Sequence, residues 1–299
     1  MPDSRAVTDP EADRHAFSSP GLEACVNAEG AELCALRDPN GQEYLWPAGP
    51  AWPRHAPVLF PIVGRLRDDT LVHAGRPYRM TQHGFARDRR FTWVDRSATG
   101  CRLVLTDDAQ TRAMYPFGFR FEISYDAVDT TLQVTFTVEN TGDEVLPASM
   151  GAHPAFRWPL DPTLPKTAYR LTFDKPEPAP LRGVVNGLLT PADRPSPIVG
   201  GSLPLTEDLF AADALILPHP ASRSVRFAAA HGPALTVSWQ GFVELGLWSR
   251  PGADFLCIEP WHGMASPPDF TGDFVEKPGL MLIPPGDSRT LSLRITVEP

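Results

Sequence analysis

FRFEISYD (residues 119–126) and TLQVTFTVE (residues 131–139) decide the fold. Both alternate apolar and polar side chains and are rich in β-branched and aromatic residues, the pattern of strands with one buried face. Four more segments either alternate in this way or are rich in apolar, β-branched and aromatic residues: CRLVLT (101–106), ALTVSW (234–239), FLCIE (255–259) and TLSLRITV (290–297). The NTGDEVLP run beginning at Asn140 separates strands, because Asn, Gly and Asp accept the backbone angles of tight turns. Proline, with 34 residues, falls every few positions and leaves little room for a long helix. Many short strands with turn residues between them predict an all-β sandwich or barrel.

Outward from these strands, residues 161–204 are rich in proline and lose periodicity, so they are expected to form long loops across the sandwich rim. Residues 1–15 are expected to be a loose tail, and residues 16–299 a single domain. There is no internal repeat. The net charge of −9 opposes binding to a phosphate backbone, so nucleic acid is excluded as an expected partner. No apolar run reaches the ~18 residues of a membrane span, and the polar N-terminus is unlike a signal peptide, so a cytoplasmic location is expected. The four cysteines, Cys25, Cys34, Cys101 and Cys257, contain no C-x-x-C pair. Cys25 and Cys34 are placed to face one another across a hairpin, and free buried thiols are expected.

Four segments carry the residue types of a site. PIVGR ends on Gly64 and Arg65. QHGFARD places His83 and Arg87 four residues apart in a loop. GAHPAF sets His153 before a proline that forces an extended backbone. CIEPWHG puts Glu259 at the end of an apolar strand, where Ile258, Pro260 and Trp261 would desolvate it and make it a stronger base near neutrality. Each has a plainer reading: solvated arginines, a histidine satisfied by backbone, a surface glutamate, a core tryptophan. Metal-binding spacings such as H-x-H and H-E-x-x-H are absent, as are the G-x-S-x-G elbow and glycine-rich phosphate or dinucleotide loops. Neither a metal nor a cofactor is therefore expected.

In this order, F-P-x-x-G-R-L, Q-H-G-F-A-R, G-x-H-P-A-F and C-I-E-P-W-x-G resemble the aldose 1-epimerase family, particularly its LacX-like branch. The resemblance runs from about Gly21 onward and includes the closing K-P-G-L-x-L-I-P-P-G-D-S of residues 277–288. It implies a galactose-mutarotase-like β-supersandwich with a cleft on one face. It also implies a cofactor-free isomerase that interconverts α and β anomers by opening and reclosing a sugar ring. By position, Glu259 matches the family's base and His153 its acid. His83 matches the second histidine, which holds and polarises the O1/O5 region. Arg65 and Arg87 match arginines that bind sugar hydroxyls or a phosphate, and Asp213 corresponds to the substrate-binding aspartate. Trp261 offers an aromatic face to the sugar or belongs to the core.

The sequence departs from the better-known galactose mutarotases. Pro260-Trp261-His262-Gly263 follows the glutamate where they carry Q-x-x-P-D, and the second arginine spacing is missing. These differences bear on substrate more than on reaction type. Glu276 is a rival base, although its Lys277 neighbour and proline-glycine turn look structural. Three readings follow: an epimerase of a free hexose, a hexose-6-phosphate 1-epimerase that uses Arg65, Arg67 and Arg87, and a noncatalytic carbohydrate-binding sandwich. The partner is a small sugar or sugar phosphate, and the chain is expected to be a monomer or homodimer.

Overall fold

The computed structural model describes residues 13–299. The six expected strands appear as Gly100–Thr106, Phe119–Val128, Thr131–Asn140, Ala234–Gln240, Phe255–His262 and Ser288–Glu298. Five of them lie side by side in a nine-stranded antiparallel sheet with Ser288–Glu298 at its centre, flanked by Ala234–Gln240 and Thr131–Asn140. The strict alternation of Thr131–Asn140 sends Leu132, Val134, Phe136 and Val138 inward.

The sixth strand, Phe255–His262, is the middle of a second sheet whose order is Leu215–Leu217, Glu244–Trp248, Phe255–His262, Met150–Ala152 and Val58–Leu59. Ala155–Arg157 also pairs with it, opposite Phe255, Leu256 and Cys257. Seven of its eight residues are buried, so both faces of this strand are covered. Leu256 and Ile258 join the main core against the nine-stranded sheet. The side chains between them project from the opposite face, where Phe255 and Cys257 meet Ala155 and Trp261 meets Leu59 and Val63. By period-2 alternation Glu259 belongs to that outer face as well.

Residues 161–204 are less loop-like than their composition implies. Arg170–Phe173 and Ser202–Pro204 extend the nine-stranded sheet to its edge, and Val184–Val185 pairs with Leu188–Leu189 in a small hairpin. These strands have two to four residues, too few for a period to register. The expected tail at residues 1–15 lies outside the described residues as far as residue 12, and Arg14 and His15 already belong to the strand Arg14–Ser19. Cys25 and Cys34 are free and half-buried rather than buried. They sit on paired strands where the register shifts after Cys25, and the Cys34 thiol donates to the Cys25 carbonyl at 3.3 Å. Among the described residues the one α-helix is the turn Ala109–Arg112, and no helix is long and apolar enough to cross a membrane.

Candidate active site

The outer face of the second sheet floors a cavity of about 290 Å³, near the lower end of the range for small-ligand pockets and suited to a single sugar ring. Glu259, 1% exposed, projects into it from the middle strand, opposite Gly246 on the neighbouring strand. The Trp261 ring lies flat over Gly246 and Gly151: a Cβ on either glycine would fall 2.4 Å and 2.6 Å from that ring. Trp261 is therefore a buried part of the floor.

His153 follows Met150–Ala152, where Pro154 ends the pairing before Ala155–Arg157 resumes it. Its Nε2 lies 3.2 Å from Glu259 Oε2. Three rings box the imidazole: Trp52 stacks on it at 5.0 Å, while Trp248 and His83 meet it edge-on at 5.9 and 5.8 Å. His83 is held by backbone. It adopts a left-handed φ of 66°, its N–H donates to the Gly64 carbonyl, and the Gly64 N–H donates to its Nδ1 at 3.2 Å. An Nδ1 that accepts leaves the proton of a neutral ring on Nε2, 3.2 Å from the Gln82 side-chain amide, which must then turn its oxygen toward the ring to accept it.

Glu259 and His153 are both buried, and this sets their protonation. Burial pushes the Glu259 carboxyl well above its ordinary value; the Trp261 indole opposes the rise and Asp213 adds to it. Burial, with Arg87 and Arg54 acting the same way, pulls His153 down to about 3. His83 is lowered by burial first and by His153 and Arg87 next. The two neighbours Glu259 and His153 titrate as a pair, in which burial favours the proton on the carboxyl over the imidazole. Several polar atoms here are buried without an aligned hydrogen-bond partner: Glu259 Oε2, His153 Nδ1, Trp261 Nε1 and Arg87 Nε. Buried polar groups are paired in the large majority of cases, so orphans gathered at one cavity mark a surface built for a polar ligand.

The family model for aldose 1-epimerase matches residues 13–274. The chain belongs to the aldose 1-epimerase family. It is 32% identical to the chromosomal protein LacX of Lactococcus lactis subsp. lactis over 281 residues, covering 90% of this chain and 94% of that one. In structure it is similar to the galactose mutarotase related enzyme of Lactobacillus acidophilus, with a TM-score of 0.89, 29% identity and 96% and 97% of the two chains covered. A galactose mutarotase-like protein of Lactobacillus casei ATCC 334 superposes with a TM-score of 0.87 at 28% identity over 95% and 100% of the chains. The galactose-mutarotase-like β-supersandwich expected from the four motifs is the fold of this epimerase-family member.

Within this epimerase-family fold, His83, Arg87, His153, Asp213, Glu259 and Trp261 converge on the one cavity. Asp213 reaches its rim from a turn before Leu215–Leu217, at φ 71°, with its carboxylate accepting from the Ala214 N–H. Arg65 does not line the cavity: Nε and an Nη donate to both oxygens of Asp69 at 2.6 and 3.0 Å, and its stem packs on Gly187. Its carbonyl instead accepts from Ser266 N–H, tying down the segment that brings Ala265 to the wall. Glu276 is exposed and away from the cavity. Sequence reasoning missed Trp52 and Trp248. ELGLW (Glu244–Trp248) does alternate, and that signal places Trp248 on the outer face beside Gly246; Trp52, in a loop, has no comparable signal.

Proposed function

We propose that the chain is an aldose 1-epimerase acting on a hexose, with Glu259 as base and His153 as acid. One observation carries this reading: a carboxylate oxygen and an imidazole nitrogen lie 3.2 Å apart on the wall of a sugar-sized cavity. O1 and O5 of a pyranose are both bonded to C1, so groups that serve them must also sit side by side. Glu259 takes the O1 proton while His153 gives one to O5, and the C1–O5 bond breaks to leave an aldehyde. Rotation about C1–C2 and reclosure reverse the transfers and deliver the other anomer. The pair begins and ends with one proton, and its reacting form, carboxylate beside imidazolium, is reached by moving that proton between neighbours. The Nε2–H of His83 steadies the developing charge on the sugar oxygens. Arg87 and Asp213 bind hydroxyls, and the Trp261 ring supports the apolar face of the sugar.

Polarimetry of freshly dissolved α-glucose and α-galactose tests the reaction: equilibration faster than in buffer supports it, and the buffer rate with every hexose tried defeats it. A second reading, hexose-6-phosphate epimerisation, is favoured by the orphaned Nε of Arg87 and by Arg54, which pairs with Asp88 beside it. Under that reading kcat/KM for the phosphorylated sugar exceeds that for the free one, and Arg87→Ala removes the preference.

The protonation of the pair has a pH signature. Adding a second proton requires a pH near the value of about 3 to which His153 is lowered, and removing the first requires a pH above the raised Glu259. The kcat profile is therefore expected to show no inflection near 6.5, where an unperturbed histidine would titrate, and to fall on the acid side only as pH approaches about 3. An inflection near 6.5 would mean that His153 is not held in a buried pair.

A further inference from the structure

We infer that Glu259, His153 and Cys257 together form a binding site for a soft divalent cation, with Zn²⁺ as the natural probe, and that this cation competes with the sugar. No fixed-spacing metal motif exists in the chain, yet the fold makes a compact ligand set. Cys257 and Glu259 stand two residues apart on one strand and so share its outer face, and His153 is brought to them from the neighbouring segment. Among the described residues, one ligand atom from each of the three lies within 4.8 Å of the others. Tetrahedral zinc with bonds of about 2.0–2.3 Å needs ligand atoms roughly 3.3–3.6 Å apart, so small side-chain rotations close the set.

Two further observations point to a cation. Glu259 Oε2 is buried without an aligned hydrogen-bond partner and lies 3.2 Å from His153 Nε2, a second member of the set. Charge also balances: Zn²⁺ with a thiolate, a carboxylate and a neutral imidazole sums to zero, whereas any one of those anions alone is costly in a buried wall. Binding releases the Cys257 and Glu259 protons to solvent. Trp52, Trp248 and Phe255 supply the apolar shell that excludes competing water. A thiolate–imidazole–carboxylate set favours zinc over magnesium or calcium, which prefer oxygen-only shells. Since His153 and Glu259 line the cavity, the fourth position opens toward the sugar, and metal and sugar exclude each other.

The inhibition half of this inference rests on the proposed epimerase chemistry; the binding half does not. Binding is read with Co²⁺ as a spectroscopic stand-in for zinc on the full chain, through its thiolate charge-transfer absorption. Cys25 and Cys34 are the competing thiol pair, so three proteins are compared: wild type, Cys25→Ala/Cys34→Ala, and Cys257→Ala. The expected result is a band in the first two that is lost in Cys257→Ala, with circular dichroism confirming that all three are folded. Absence of the band in wild type, its survival in Cys257→Ala, or its loss in the double variant overturns the site. In the activity arm, zinc slows anomer exchange by wild type. Cys257→Ala keeps its basal rate and needs more zinc for the same inhibition, by at least the roughly 10–100-fold that losing even an outer-shell partner costs a metal site. Equal sensitivity of the two proteins overturns the competition.

Discussion

Glu259→Gln is expected to lower kcat by about 10²–10⁴-fold while KM moves only a few-fold, as anomer exchange measured over a range of sugar concentrations will record. The amide keeps the volume and hydrogen-bonding reach of the carboxyl but cannot take the O1 proton, so binding survives and the transfer does not. At about 1.36 kcal/mol per decade, the loss corresponds to roughly 3–5 kcal/mol of transition-state stabilisation. The same variant separates catalysis from stability. Because burial raises the native pKa of Glu259, the folded state favours the protonated group. That contribution is complete below the unfolded value and is lost as pH rises toward the native one. Glutamine has no such dependence, so at neutral pH the variant is expected to unfold no earlier than wild type, and any advantage should shrink toward pH 4. A variant that loses activity because it has lost its fold would fail this test.

The second large effect is expected from a glycine. Gly84→Ala places a Cβ 2.2 Å from the Phe60 carbonyl oxygen, at a φ of 72°. That oxygen already accepts the N–H groups of Phe85 and Ala86, so the obstruction is backbone and cannot swing aside. A left-handed alanine costs about 1–2 kcal/mol and overpacking about 1–3 kcal/mol, together roughly 2–5 kcal/mol. At about 2–4 °C per kcal/mol for chains of 150–250 residues, Tm falls on the order of 10 °C. Activity should fall further than stability explains, because Gly84 adjoins His83, whose ring is registered by the Gly64 N–H. Gly75→Ala is the control: it has the same φ of 72° but open space around the added Cβ, so only the left-handed cost remains. Thermal melts of the two variants should differ accordingly.

Most of the long strands were legible because their alternation runs over six or more residues, as in Thr131–Asn140, where one face is core and the other is half-exposed, whereas Phe255–His262 announced itself by an unbroken apolar run at residues 255–258. The edge strand Arg170–Phe173 and the hairpin at Val184 were not, since two to four residues carry no period and proline surrounds them. At the candidate site, His153 and Glu259 could be singled out because each breaks its own local rule: a histidine aimed by a following proline, and a carboxylate inside an apolar strand. Their separation of 3.2 Å could not, because it depends on pairing between segments a hundred residues apart. Arg65 has the motif context of a ligand-binding arginine but is captured by Asp69, four residues on, a local pair that the chain itself supplies. The stacking of Trp52 on His153 depends on a loop whose course no periodicity announces.

The central claim is that Glu259 and His153 serve O1 and O5 of one sugar ring, and a crystal structure of Glu259→Gln soaked with the hexose that polarimetry selects tests it most directly. The expected density is one pyranose over Trp261, with O1 within about 2.6–3.2 Å of the residue 259 amide and O5 equally close to His153 Nε2. A sugar seated with C1 toward the Arg87 rim, away from both side chains, would contradict the assignment.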